Sequence, residues 1–190
     1  MESLKQKILS EGQAIGTEIL RVDSFLNHQI DAEFLYEIGK AFKDRFHDDL
    51  ISKILTIEAS GIAIAVGAAS FFGYPPVVFA KKAPPGAKVD NYYVTDAKPY
   101  AKGAVSHITL TKKFLSDGDR VLIIDDLLSS GETALALCDL VHQAGARVVG
   151  VGAVIDKAFQ GGSAMLREKG YRVETLVTIE KIVDGTIIFG

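Results

Sequence analysis

Apolar residues recur along this chain at two spacings, and the alternation between them predicts its elements. Near the start, Leu4, Ile8 and Leu9 fall on one side of a helix over Glu2–Glu11. Gly12 and Gly16 interrupt that pattern. Ile19, Leu20, Val22, Phe25, Leu26 and Ile30 then keep an apolar line without a period, which reads as irregular or partly extended chain. Asp31 is a candidate N-cap for a helix running to about Phe46, with Phe34, Leu35, Ile38 and Phe42 turned inward. Beyond it, short apolar runs alternate with helical stretches. Lys53–Glu58, Val77–Ala80, Val105–Leu110, Arg120–Ile124, Arg147–Ile155 and Arg172–Ile179 read as strands. Gly61–Phe72, Thr133–Ala144 (ended by Gly145) and Ser163–Lys169 read as helices. Pro84–Pro99 has the Gly, Pro, Asp and Lys content of a mobile loop. This order predicts an α/β fold, a mostly parallel sheet flanked by helices on both faces. Ligands of such sheets sit beyond the carboxyl ends of the strands.

Composition narrows the partners. The chain has 190 residues, 48% hydrophobic and 24% charged, which suits one globular domain over residues 1–190. Net charge is −3 and no long Lys/Arg block appears, so a nucleic-acid partner is not expected. A polyanionic ligand would have to be met locally, by backbone amides, a few lysines or a metal ion. The single cysteine, Cys138, has no partner for an internal disulfide and is expected to pack in a helix. The start of the chain lacks the apolar core of a signal peptide, and the run Gly61–Gly73 is too short to span a bilayer. A soluble cytoplasmic protein is expected. His28, His47, His107 and His142 lack metal-ligand spacing.

The chemistry concentrates in Val121-Leu122-Ile123-Ile124-Asp125-Asp126-Leu127-Leu128-Ser129-Ser130-Gly131-Glu132-Thr133. A buried strand leads into two acids, then into a small-residue loop that opens a helix. Amides of such a loop form a concave nest, and the helix dipole adds positive potential, so a phosphate fits. Ser129, Ser130 and Thr133 add hydroxyl donors. Asp125 and Asp126 suit sugar hydroxyls, because a carboxylate accepts several hydrogen bonds, and they also suit Mg²⁺ held through water. A phosphate site beside a diol site describes a ribose 5-phosphate. The loop lacks the Gly-Lys-Ser/Thr of a nucleoside-triphosphate loop.

This stretch resembles the phosphoribosyl pyrophosphate motif of type I phosphoribosyltransferases. The whole chain further resembles the bacterial members that act on xanthine, at Leu20–Asp31, at Glu58-Ala59-Ser60-Gly61-Ile62-Ala63 and at Ile155-Asp156-Lys157-Ala158-Phe159-Gln160. The resemblance implies a type I phosphoribosyltransferase fold with a small base-binding hood, built from roughly residues 1–30 and 157–190. It implies transfer of a phosphoribosyl group to xanthine, Mg²⁺ as cofactor and a homodimer. Asp125 and Asp126 take the catalytic role, orienting the ribose at a positively charged, sugar-centred transition state. Ser129, Ser130, Gly131, Glu132 and Thr133 take the 5-phosphate. A closing loop is implied over Lys88–Lys102.

Other residues carry two readings each. Glu58, Ala59, Ser60 and Gly61 form either a pyrophosphate nest, as the resemblance implies, or a plain strand-to-helix turn. Lys81 and Lys82 either neutralise pyrophosphate or make a solvated pair. Lys157 offers donors only, which suits a 6-oxo group and disfavours adenine; the other reading is a surface lysine. Leu20 and Asn27 match base-contacting positions in the resemblance, and an amide can donate to a 2-oxo oxygen; alone, Asn27 reads as a loop or cap residue. Phe159 either stacks on the base or packs in the core. The rival functions are a phosphoribosyl-pyrophosphate sensor without catalysis, and a guanine/hypoxanthine- or adenine-preferring enzyme.

Overall fold

The computed structural model describes residues 1–83, 90–97 and 106–190. Helix α1 (Glu2–Glu11) is followed by a small hairpin, β1 (Gln13–Ile15) and β2 (Ile19–Arg21), and a wide turn at Asp23–Asn27. Then come α2 (Ala32–Arg45), β3 (Lys53–Ile57), α3 (Ser60–Ala69), β4 (Val77–Ala83), β5 (Tyr92–Ala97) and β6 (Ser106–Thr111). The chain continues through β7 (Arg120–Leu128), α4 (Glu132–Gln143), β8 (Arg147–Lys157), α5 (Gly162–Glu168), β9 (Val173–Val183) and β10 (Thr186–Phe189). Eight strands form one sheet in the order β10-β9-β8-β7-β3-β4-β6-β5. The five from β9 to β4 run parallel, and β10, β6 and β5 pair antiparallel at the two edges.

Each face of the sheet carries its own core. Leu122, Ile124 and Val154 pack with α1, α2 and α3 through Leu4, Ile8, Ile38, Phe42 and Ile64. Val121, Ile123, Val151 and Ala153 pack with α4 and α5 through Leu137, Val141 and Leu166. Period-2 alternation on buried strands produces this division. On β8 the glycines Gly150 and Gly152 leave room for Phe46 and Phe42. A Cβ at either position would come within 2.6 Å or 2.8 Å of those rings. Asp31 caps α2 by accepting from the Phe34 amide at 3.0 Å. Lys7 then bridges α1 to that cap, 2.8 Å from Asp31 and 3.1 Å from Glu11.

Several expectations need correction. Leu9 faces solvent, not the core, because the inward stripe of α1 is Leu4 and Ile8. Within the expected loop Pro84–Pro99, Tyr92–Ala97 is a strand, paired along its length with β6. Of the rest of that loop, residues 84–89 and 98–99 lie outside the described residues, as do 88–89 and 98–102 of the expected closing loop and Val105 of the expected strand. β4 runs on to Ala83, so Lys81 and Lys82 stand within a strand. β7 does not stop at Ile124: its ladder continues through Asp125↔Ala153 and Leu128↔Asp156, which places both acids inside the strand. Lys157 likewise ends β8 and does not follow it. The last expected strand extends to Val183 and turns through Asp184-Gly185, at φ 48° and 77°, into β10. An Asp-Gly pair between β-branched runs favours this two-residue turn.

Phe42 is fully buried against Gly152. Phe42→Ala is expected to lower the unfolding free energy by about 3–5 kcal/mol, read by urea denaturation. A loss below about 1 kcal/mol would show that α2 is not seated on β8 in this way.

Candidate active site

The order of the parallel strands creates the crevice. From β3 the chain moves outward to β4, then returns to the opposite side of β3 as β7. Carboxyl-end loops diverge at such a reversal, leaving space between them. Here the flanking loops are Glu58–Gly61 after β3 and Ser129–Gly131 after β7.

The two loops approach each other through a glycine. A side chain at Gly61 would collide with Thr56 Oγ1 and lie 3.2 Å from Asp125 Oδ1. Gly61 therefore lets the start of α3 close onto the strand that carries the acids. The Glu58–Ala59 peptide bond is cis, and the Glu58 amide donates to the Ala80 carbonyl at 3.1 Å, tying this loop to β4. On the other side Gly131, at φ 81°, turns β7 into α4. Unlike α2, neither α3 nor α4 has a side-chain cap. The first-turn amides of a helix have no intrahelical partner, so both ends offer donors to an anion.

Asp125 and Asp126 are both buried. The Asp126 amide donates to Asp125 Oδ1 at 3.0 Å. Burial, then the neighbouring Asp126 carboxylate, pushes the Asp125 carboxyl well above the usual aspartate range, and Lys82 opposes that shift. The two lysines of β4 part company, as neighbours on a strand must. Lys82 acts on Asp125, whereas Lys81 reaches over the Phe79 ring, 5.7 Å from its centroid. Lys81 lines a separate groove of about 630 Å³ with Phe79, Tyr92 and Phe114. That groove is mainly apolar and lies apart from the two loops.

At the end of β8, Lys157 is half-buried, and burial lowers its pKa from the ordinary lysine value. Its Nζ donates to the Glu18 carbonyl at 3.3 Å, which brings it to the β1–β2 hairpin. Leu20 is buried on that hairpin and Asn27 is exposed at the end of the following turn. The N-terminal segment is fixed to the sheet, the Met1 amino group donating to the Leu176 carbonyl at 2.7 Å and Lys5 to the Gly190 carbonyl at 3.0 Å. Phe159 packs against the first core. Cys138 is buried in α4, and burial pushes its thiol up to about 12, which leaves it unreactive.

Sequence reasoning passed over three residues here. Among the described residues, two buried side-chain oxygens have no hydrogen-bond partner: Thr56 Oγ1, under Gly61, and Asp156 Oδ1, beside Lys157. A polar residue inside an otherwise apolar strand was the available signal for Thr56. The third is Gly162, whose amide donates to the Ser129 carbonyl at 3.0 Å. No local pattern marks that long-range contact.

Comparison with known proteins identifies the family. The family model described as the phosphoribosyl transferase domain matches residues 27–185. The chain is 49% identical to a xanthine phosphoribosyltransferase of Clostridium perfringens over the full length of both. It is 50% identical to that of Bacillus cytotoxicus, over all of this chain and 95% of the other, and 47% identical to that of Clostridioides difficile over the full length of both. Among solved structures, adenine phosphoribosyltransferase of Saccharomyces cerevisiae superposes with a TM-score of 0.74 at 22% identity, over 93% of this chain and 99% of that one. The enzyme of Rhodothermus marinus gives the same TM-score and identity over 94% and 100%. At that identity the structures speak for the fold alone.

The Asp125 carboxyl sets a pH signature. Its folded pKa lies above the ordinary 3.8, so the folded chain holds more protons than the unfolded chain between the two values. Stability from this group is full below the unfolded pKa and is lost as pH rises through the folded pKa. Without ligand, Asp125→Asn is expected to melt above wild type at pH 7, the gap closing toward pH 4. Parallel melting curves across that range, followed by calorimetry, would contradict the buried charge.

Proposed function

The chain belongs to the phosphoribosyltransferase family, and we propose that it transfers the 5-phosphoribosyl group from phosphoribosyl pyrophosphate to xanthine, giving xanthosine 5′-monophosphate and pyrophosphate in purine salvage. The observation that carries the site reading is the pair of uncapped helix ends flanking buried Asp125. In this reading Ser129, Ser130, Gly131, Glu132 and Thr133 hold the 5-phosphate through amides and hydroxyls. Glu58, Ala59, Ser60 and Gly61 cradle the pyrophosphate. Lys82 stands toward the acids, whereas Lys81 is turned into the separate groove and takes no part in this reading. Asp125 and Asp126 accept hydrogen bonds from the ribose hydroxyls and favour positive charge as it develops on the sugar. The bond from the anomeric carbon to the pyrophosphate oxygen breaks while a purine nitrogen bonds that carbon, and the proton that nitrogen carried passes to pyrophosphate or solvent. No covalent enzyme intermediate is needed, so positioning carries much of the rate.

Mg²⁺ fits the donor set. Asp125 and Asp126 are adjacent oxygen donors, and a cation nearby relieves the burial of their charge. Among the described residues no three His, Cys, Asp or Glu side chains gather as a metal cage. The two carboxylates would therefore share the ion with the substrate. Held there by Asp125 and Asp126, Mg²⁺ would supply positive charge against the departing pyrophosphate.

The base assignment follows the full-length relatives, and the placement of Lys157 supports it. Its ammonium donates to the 6-oxo oxygen, Asn27 donates to the 2-oxo oxygen, and Leu20 packs against the ring. The N-terminal segment (roughly residues 1–30) and the C-terminal one (157–190) act as the hood within a single domain. No helix among the described residues is long and apolar enough to cross a membrane. A cytoplasmic homodimer working without nucleic acid or membrane completes the reading.

Product formation with phosphoribosyl pyrophosphate and Mg²⁺ should be measured for xanthine, guanine, hypoxanthine, adenine and orotate. Xanthine is expected to give the highest kcat/KM. Lys157→Met is expected to raise the KM for xanthine on the order of 10- to 100-fold. Preference for adenine or orotate would overturn the roles of Lys157 and Asn27. Ligand binding with no product from any base would indicate a sensor.

A further inference from the structure

The turn that follows Lys157 reaches the phosphate loop by backbone contact. Gly162 is buried, and besides the bond from its amide to the Ser129 carbonyl, it has no room for a side chain. A Cβ there would run into the Ser129 carbonyl oxygen and lie 2.5 Å from the Gly131 nitrogen. The fit is mutual: a Cβ at Gly131 would come within 2.8 Å of Met165 Cε and 3.0 Å of Gly162 Cα. At the other end of the same segment, Lys157 holds the Glu18 carbonyl of the β1–β2 hairpin. Between them lie only a single helical turn, Ala158–Gln160, and Gly161. Asp156, just before Lys157, is buried, with Ser163 and Arg167 of α5 near its carboxyl.

We propose that Gly162 is a positioning residue for the phosphate loop, and that Lys157–Gly162 is a strut fixing the separation between base site and phosphate site. This rests on the functional reading given above. The reaction needs the purine nitrogen and the anomeric carbon within near-attack distance, and a misplacement of about 1 Å costs on the order of 10²-fold in rate. The strut meets the loop at the residues that turn β7 into α4. A shift at Gly162 therefore moves the amides that face the phosphate, while Lys157 stays in place.

Two glycines separate this role from a purely structural one. Gly170, after α5 and outside the strut, has φ 87° and no atom within 4 Å of a Cβ built on it, so Gly170→Ala strains the backbone without touching the strut or the loop. Gly162→Ala touches the loop without that strain. Gly162→Ala is expected to raise the KM for phosphoribosyl pyrophosphate roughly 10- to 100-fold and to lower kcat by a comparable factor, with a smaller change in the KM for xanthine. Gly170→Ala is expected to lower the melting temperature and leave that KM as in wild type. An unchanged KM in Gly162→Ala, or an equal rise in both variants, would overturn the strut. If Gly162→Ala does not fold, hydrogen exchange of wild type decides. Phosphoribosyl pyrophosphate with Mg²⁺ and no base should slow exchange across Ala158–Met165, and no slowing would overturn the proposal. Failure of wild type to bind or turn over phosphoribosyl pyrophosphate would instead overturn the functional reading, and the strut with it.

Discussion

Two carboxylates inside a buried strand are the constraint around which this molecule is arranged. Asp125 and Asp126 sit in the second half of β7, in the middle of an eight-stranded sheet. Burying an ionised carboxylate is costly unless its charge is met, and like charges side by side add to that cost. Asp125 responds with a raised pKa, opposed by Lys82 from β4. The groups that would lower the cost further are a sugar's hydroxyls and a divalent cation. The unliganded fold is thus less stable than its core alone would make it, as sites that bind charge commonly are.

The rest of the architecture serves to surround that strand end. Parallel order places β3 and β7 side by side with their loops diverging; in the proposed reading a phosphate on α4 and a pyrophosphate near α3 share one sugar between them. The glycines sit where backbones must meet: Gly61 brings α3 onto Asp125, and Gly131 meets Gly162. Aromatic rings on the far side of the sheet lock α2 onto β8. Lys7 and the Met1 amino group hold the N-terminal segment to α2 and β9, and so hold the β1–β2 hairpin beside Lys157.

How much of this was legible depended on whether the signal was local. α1 was read with the bounds observed, and α2 nearly so, because an Asp cap and a 3.6-residue stripe sit within a few positions of each other. The loop after Asp126 was legible for the same reason: acids, small residues and a helix start are contiguous. β5 was hidden because its Tyr-Tyr-Val-Thr lies among Gly, Pro and Lys that suggest a loop, and its pairing with β6 is what makes it a strand. β10 was missed, although Asp184-Gly185 between two apolar runs marks the turn that leads into it. The split between Lys81 and Lys82 needed the true extent of β4, and the Gly162 contact with Ser129 needed three dimensions. Family resemblance supplied the substrate, which no residue pattern specifies alone.

The most direct test of the account is a crystal structure of the protein with phosphoribosyl pyrophosphate and Mg²⁺. The account predicts the 5-phosphate against Ser129–Thr133, the ribose hydroxyls at Asp125 and Asp126, and the pyrophosphate over Glu58–Gly61. A ligand seated elsewhere, such as in the apolar groove beside Phe79, or a ribose out of reach of both carboxylates, would contradict it.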